Sequence, residues 1–452
     1  MSLIVNPSTL AVIAELRDTP LALVDDVVER AQRAQRTWAR LPQRSRIDGL
    51  RRIAELVRAN SEELARIETS NVGKPIGASR AEVSMVADTF DYYAGAIDKF
   101  FGQTIPVDGG MDFTVHEPIG VVAVIAPWNF PLAIAAWNVA AAIACGNSVI
   151  VKPAEITPLS ICKFGELISN ADLPDGLFQV VLGKGSIVGT ALTEHPGIGK
   201  ISFTGSTETG QTIMRSAAGT MKRVTLELGG KSAAVIFEDA DLERVAVEST
   251  GAVFGNSGQD CCARSRILVE RGAYDEFVKL FTSATGSMVV GDPLDAATTM
   301  GPLVSGNHLD KVESFLDIEL DVVAPTEAPT GPGHWMSPHI VLNPPRDHRV
   351  VREEIFGPIV TIIPFDDEAD AITLANDTIF GLSGSVWTRD VGRAIRVSRG
   401  LETGSISVNS STSVRLQTPF GGFKQSGMGR ELGMTALDGY TELKNIFIST
   451  DG

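Results

Sequence analysis

From Gly120 onward, short β-rich runs alternate with helical stretches, and no other feature constrains the fold as much. VVAVI (121–125) precedes a helical pattern from about Leu132, and SVIVK (148–152) precedes one from about Pro158. QVVL (179–182) precedes one near Ile187, and KISFT (200–204) one near Glu208; RVTLEL (223–228) and AAVIF (233–237) follow. Strands joined through helices run parallel, because a parallel pair needs a long crossover where an antiparallel pair needs only a turn. The alternation therefore predicts a doubly wound α/β sheet. A second series follows Cys261: RILVE, a helix near 273–284, IVTIIPF and a helix near 368–376. It predicts a second α/β domain.

The first quarter reads as helices. Val24, Val27, Val28, Ala31 and Ala34 share one face of a 3.6-residue repeat, as do Ile47, Leu50, Ile53, Ala54 and Val57. Asn60 with Glu63 three residues on marks a fresh helix start. Two segments fit neither series. Residues 100–118 alternate and contain glycine, like a hairpin projecting from the body, and LKNIFIST near the C-terminus reads as a final strand. An isolated hairpin is marginal in water, so both should pair with something, another subunit included.

The 452 residues suffice for two or three domains. A net charge of −16 disfavours nucleic acid as a partner, since phosphate binding needs clustered Lys and Arg. The opening MSLIVNPSTL shows no basic segment before a long apolar core, so no signal peptide is expected. The apolar run 131–145 is too short to span a membrane and is interrupted by Trp137 and Asn138, so a buried helix is expected there. The cysteines are Cys145, Cys162, Cys261 and Cys262. Their spacing suggests neither a disulfide framework nor zinc, and fits a reducing cytoplasm. Cys145 and Cys162 sit in apolar helical patterns that imply packing.

Six places could carry chemistry. Cys261 lies in FGNSGQDCCARSRILVE, on a loop before a strand. A thiolate nucleophile there would need partial exposure and a cation, dipole or base, and local chemistry does not separate Cys261 from Cys262. Glu227, in TLELGGKS, stands at a strand end beside two glycines. It is either a base with room to move or a loop partner of Lys231. Asn129, in APWNFP, is either a donor to a developing oxyanion or a turn and capping residue. Lys152 and Glu155, in VKPAE, occupy a strand end, where open α/β sheets bind ligands. A carboxylate there can take ribose hydroxyls and would repel a 2′-phosphate. Gly205, Ser206 and Gly210, in FTGSTETG, form a strand-to-helix turn whose N–H groups could hold a pyrophosphate. GKGSIVG (183–189) is nearer a dinucleotide fingerprint, with its third glycine one position late. Both could be simple tight turns.

Taken together, APWNFP (126–131), VKPAE (151–155), FTGSTETG (203–210), LELGGKS (226–232), GQDCCA (258–263), EEIFGP (353–358) and PFGGFKQSGMGRE (419–431) make the chain resemble the aldehyde dehydrogenase superfamily almost from end to end. Motifs in family order are far more specific than any one alone. The resemblance implies an aldehyde dehydrogenase-like α/β fold: two doubly wound parallel-sheet domains plus a small β oligomerisation element. Residues 1–99 and 119–228 would form the NAD-binding domain, 229–435 the catalytic domain, and 100–118 with 436–452 the oligomerisation element.

It also implies roles. Cys261 looks like the nucleophile, Cys262 like a neighbour with no required role, Glu227 like the general base, and Asn129 like the oxyanion donor together with the Cys261 N–H. Lys152 and Glu155 look like ribose contacts, Gly205 and Ser206 like pyrophosphate contacts, and Glu354 and Phe356 like the pair that positions the nicotinamide end. Trp128 would line the cofactor side. Phe130, Trp137 and Phe420 resemble walls of an aldehyde tunnel, or else ordinary core. No metal is implied. The cofactor would be NAD more readily than NADP, because of Glu155. The substrate would be a small aldehyde, and Asp260, beside the nucleophile, would favour one carrying an amine unless it pairs with Arg264 or Arg415; aliphatic or aromatic aldehydes are the alternative. Compared with the family, the N-terminus and the stretch 322–332 look shortened. Assembly into a homodimer or homotetramer is expected. A non-catalytic binding protein on the same fold would have lost the thiol, the acid or the amide, and all three are present.

Overall fold

The computed structural model describes residues 2–450; Met1, Asp451 and Gly452, at the outer limits of the expected 1–99 and 436–452 units, lie outside the described residues. The first series of strands forms a six-stranded sheet. Its order is Gly427–Met428, Arg223–Glu227, Lys200–Thr204, Val121–Ile125, Ser148–Lys152, Phe178–Val180. The five strands of the first series are parallel, and Gly427–Met428 closes the edge antiparallel to Leu226 and Glu227. Val121–Ile125 and Ser148–Lys152 are buried at every residue. This is why they read as continuous apolar runs: helices cover both faces of a parallel sheet.

The second series forms a seven-stranded sheet in the order Val322–Val323, His339–Leu342, Ile359–Phe365, Arg266–Glu270, Ala233–Ile236, Ser383–Trp387, Ser405–Val408. Only the short Val322–Val323 edge is antiparallel. A third, antiparallel sheet joins Thr104–Val107 to Gly110–Pro118 and Gly110–Pro118 to Thr441–Ser449. The projecting hairpin and the C-terminal strand thus find each other within one chain.

Two expectations need correction. The first quarter is not all helical: Ser2–Val5 and Val12–Leu16 form a small antiparallel hairpin, with Leu3 and Val12 exposed. A helix does start at Ser61, but Asn60 does not cap it; its Nδ2 donates back to the Leu56 carbonyl at 2.8 Å, finishing the preceding helix. The run 131–145 is the buried helix Pro131–Ala144, and among the described residues no helix is long and apolar enough to cross a membrane. Cys145 is buried there, whereas Cys162 is half-buried.

Candidate active site

The nucleophile candidate is delivered by a strained turn. Asn256, Ser257 and Gly258 all have positive φ (49°, 59° and 71°), a conformation that costs non-glycine residues and clusters at functional sites. At Gly258 a Cβ would lie 2.2 Å from the Gly357 carbonyl oxygen, so only glycine fits. The turn is tied down from several sides. Gln259 Nε2 donates to the Asn256 carbonyl at 2.9 Å, and Gln259 Oε1 accepts the Val304 N–H at 2.9 Å. Ser257 Oγ donates to the Gly301 carbonyl at 2.8 Å.

Two cavities meet at Cys261. One, of about 820 Å³, is lined by Trp128, Asn129, Lys152, Glu155, Gly205, Ser206, Glu354 and Phe356 together with Cys261 and Glu227. The other, of about 490 Å³, is lined by Phe130, Trp137, Asp260 and Phe420, again with Cys261 and Glu227. Every residue to which the resemblance gives a role therefore lines one cavity or both, whereas Gly210 lines neither. Both volumes fall within the roughly 300–1,000 Å³ of small-molecule sites.

Glu227 is 2% exposed, and neither carboxylate oxygen has a hydrogen-bond partner. Burial first, and then the like charge of Glu431, hold its carboxyl well above the usual range. The alternative partner, Lys231, is buried apart from it, and burial pulls that amine down to about 7. A glutamate left unpaired at this cost has its oxygens free for a ligand or water. The Cys261 thiol is also held well above its ordinary value, by its hydrogen bond with Cys262 and then by burial.

Asn129 is 4% exposed, and its Nδ2 donates to the Gln259 carbonyl at 3.0 Å. It caps no helix. That task falls to Glu68, whose Oε1 accepts the Leu132 N–H at 3.1 Å at the start of Pro131–Ala144. Glu68 belongs to a buried cluster: Lys74 Nζ lies 2.5 Å from Glu82 Oε2, 3.7 Å from Glu68 Oε2 and 4.5 Å from the Phe130 ring centroid. Asp260 pairs with neither Arg264 nor Arg415. Its Oδ1 accepts the Cys262 N–H at 2.8 Å, while Arg264 is spent on the Cys262 carbonyl, Ser383 and Ser413.

On the larger cavity, Ser206 caps Thr207–Ala218, its Oγ accepting the Thr209 N–H at 3.3 Å. The helix's first N–H groups thus face the cavity, a favourable place for anionic oxygens. Glu155 Oε1 accepts the Gly185 N–H at 2.7 Å, which ties VKPAE to GKGSIVG. Lys152 Nζ donates to the Pro153 carbonyl at 2.7 Å. Glu354 Oε1 accepts the Gly230 N–H at 2.9 Å, and Phe356 lies edge-on to Trp128 at 5.2 Å.

Sequence reasoning missed several residues here. His308 hydrogen-bonds the Phe356 carbonyl at 2.7 Å and packs against Trp128; burial pulls it down to about 4, so it is neutral. Glu431 accepts from Asn138 Nδ2 at 2.8 Å, and Ser202 and Tyr440 donate to Asn138 Oδ1, both at 2.5 Å. Glu431 closes the motif PFGGFKQSGMGRE, which was signal enough to examine it. A lone histidine in GNHLDKVE gives no such signal.

Known proteins are similar to this chain over nearly its whole length. A betaine aldehyde dehydrogenase of Bacillus subtilis (strain 168) is 39% identical over 459 aligned positions, covering 99% of this chain and 94% of its own. The crystal structure of a betaine aldehyde dehydrogenase from Staphylococcus aureus in complex with NAD+ matches with a TM-score of 0.96 at 36% identity, covering 100% of this chain and 92% of that one. PnpE from Pseudomonas sp. WBC-3 matches with a TM-score of 0.96 at 38% identity, covering 100% and 94%. The family model described as "Aldehyde dehydrogenase family" matches residues 2–446, and the chain belongs to that family.

Proposed function

We propose that the protein oxidises an aldehyde to its carboxylic acid with NAD, through a covalent intermediate on Cys261. The observation that carries this reading is the meeting of the two cavities at Cys261 and Glu227. The larger one fits a dinucleotide: a helix N-terminus for the pyrophosphate, Lys152 and Glu155 for the adenosine ribose, and Glu354 with Phe356 for the other end. The Staphylococcus aureus relative, which binds NAD+, supports the same assignment. NAD, when bound, supplies the acceptor for the aldehyde's hydride.

The chain's own residues do the rest. Cys261 Sγ gives up its proton to solvent and bonds to the aldehyde carbon. The oxygen, now negative, is held by Asn129 Nδ2 and the Cys261 N–H. After the hydride leaves the carbon, the product on Cys261 is a thioester. Glu227 then takes a proton from a water molecule whose oxygen attacks the thioester, and passes that proton to the departing Cys261 sulfur, leaving the free acid and the thiol. Because burial raises the affinity of Glu227 for a proton, it is a stronger base than a solvated glutamate.

The smaller cavity favours an aldehyde bearing a cationic nitrogen. Asp260, Glu82, Glu248 and Glu431 line it beside Phe130, Trp137 and Phe420, so acidic groups stand among aromatic walls. The Bacillus subtilis relative bears the name of such a substrate, betaine aldehyde. We further propose that 1–99 with 119–228 bind the cofactor, that 229–435 carry the chemistry, and that the chain assembles as a homodimer or homotetramer. The antiparallel third sheet supports assembly, since Phe101, Met111, Leu443, Phe447 and Ile448 in or beside it are exposed. Four free thiols fit a cytoplasmic enzyme.

The test is NADH formation, followed by absorbance, with a panel of aldehydes for wild type and Cys261→Ala, using NAD and NADP side by side. The reading requires activity in the wild type that vanishes in the variant. No turnover with any aldehyde and either cofactor would overturn it.

A further inference from the structure

We infer that Asp260, Cys261 and Cys262 form a zinc-binding site, so that zinc blocks the nucleophile. One carboxylate oxygen of Asp260 and the two sulfur atoms all lie within 4.8 Å of one another. Donor atoms around a tetrahedral zinc with Zn–S bonds of about 2.3 Å are roughly 3.8 Å apart, so small side-chain rotations close the set. The residues are consecutive and follow directly on the positive-φ turn at Asn256, Ser257 and Gly258. Asp260 is already fixed on this turn, because its Oδ1 holds the Cys262 N–H at 2.8 Å.

The cavity around these ligands is acidic and its polar groups are not all satisfied. Glu227, 2% exposed, lines the same cavity with both oxygens unpartnered. Glu82 and Glu431 add acid to the cavity wall. The nearby cations are committed elsewhere: Arg264 to the Cys262 carbonyl, Ser383 and Ser413, and Lys74 to Glu68 and Glu82. With three protein ligands, the fourth position of the zinc stays open toward the cavity, where water or a substrate group can complete it.

The chemistry is simple exchange. Two S–H bonds are replaced by two S–Zn bonds, two protons go to solvent, and nothing is oxidised or reduced. Cys262, which the proposed oxidation leaves without a task, becomes the residue that turns a single nucleophile into a chelate. The inference shares Cys261 with the proposed reaction but is read without turnover, so the two can fail separately.

The experiment is equilibrium dialysis of the full chain, reduced with a phosphine, against zinc. A parallel titration with cadmium follows the ultraviolet thiolate-to-metal absorption. One zinc per chain is expected, with a cadmium signal from two thiolates. Disturbing only the partners of metal ligands costs about 10–100-fold in affinity, so loss of a ligand in Cys262→Ser should weaken zinc at least about 100-fold and halve the cadmium signal. Cys162→Ser should change neither. If Cys262→Ser does not fold, Cys262→Ala makes the same comparison. Absence of stoichiometric zinc, or equal affinity in wild type and the Cys262 variants, would overturn the inference.

Discussion

Asn129 Nδ2 donates to the Gln259 carbonyl two residues before Cys261, at 3.0 Å. Asn256 Nδ2 in turn donates to the Asn129 backbone carbonyl at 3.2 Å. The amide is thus held by the same turn that carries the thiol, and its second N–H is fixed in direction before any substrate arrives. Preorganised donors of this kind are worth about 2.7–4 kcal/mol each. Asn129→Ala should therefore lower kcat by about 10²–10³-fold while the circular dichroism spectrum is retained. A loss smaller than tenfold would remove Asn129 from the oxyanion contact.

Glu227 separates the two halves of the reaction. Glu227→Gln keeps the shape of a side chain whose oxygens have no partner, so the fold should tolerate it. Without the base, deacylation should slow by about 10²–10⁴-fold. In rapid mixing, the variant should give a single burst of NADH near one equivalent per site, followed by a flat line. A normal steady state would assign the water-activating role to another residue.

The parallel sheets were legible because strands such as Val121–Ile125 and Ser148–Lys152 are buried on both faces and contain almost nothing but apolar residues. The motifs at their ends were legible because each sits where chain geometry is tight. The partners that close the site were not. Glu68 caps a helix that begins more than sixty residues later, and Tyr440 reaches Asn138 across 302 positions. Neither contact leaves a local period or spacing. The hairpin of Ser2–Val5 and Val12–Leu16 escaped for the opposite reason: its apolar residues are mostly exposed, so burial imposes no alternation on them.

Asp260 offers a test of substrate charge. Asp260→Asn preserves the oxygen that accepts the Cys262 N–H and removes only the negative charge. A charge-assisted contact is worth about 1.5–3 kcal/mol, or roughly 10–100-fold. kcat/KM for an aldehyde with a cationic nitrogen should fall by that factor, while a neutral aldehyde of similar length is spared. Equal losses for both would point to a structural role for the carboxylate.

Glu431 links stability to pH. Burial raises it from 4.5 to about 7, opposed by its bond from Asn138. The folded protein holds this proton more tightly than the unfolded chain, so the contribution to stability is complete below about pH 4.5 and is lost as pH rises through about 7. In Glu431→Gln, which keeps an oxygen for Asn138, that component should disappear. Tm should then fall less between pH 5 and pH 7 than in the wild type, by thermal melts in matched buffers. Parallel profiles would mean that Glu431 does not titrate in this window.

Glu155 should decide between the two nicotinamide cofactors. One of its oxygens accepts the Gly185 N–H at 2.7 Å, so the carboxylate is held at the cavity wall beside Lys152. A ribose with two free hydroxyls can donate to it, whereas a 2′-phosphate would meet like charge. Glu155→Gln keeps an acceptor for Gly185 and removes the repulsion. The variant should lose part of its kcat/KM with NAD, because a neutral amide accepts more weakly than a carboxylate. It should gain with NADP, so that the NAD-to-NADP preference falls at least about tenfold, equivalent to about 1.4 kcal/mol. Loss with both cofactors in equal proportion would place Glu155 in the scaffolding of the Gly185–Gly189 turn alone, and the selectivity would then have to come from elsewhere in the cavity.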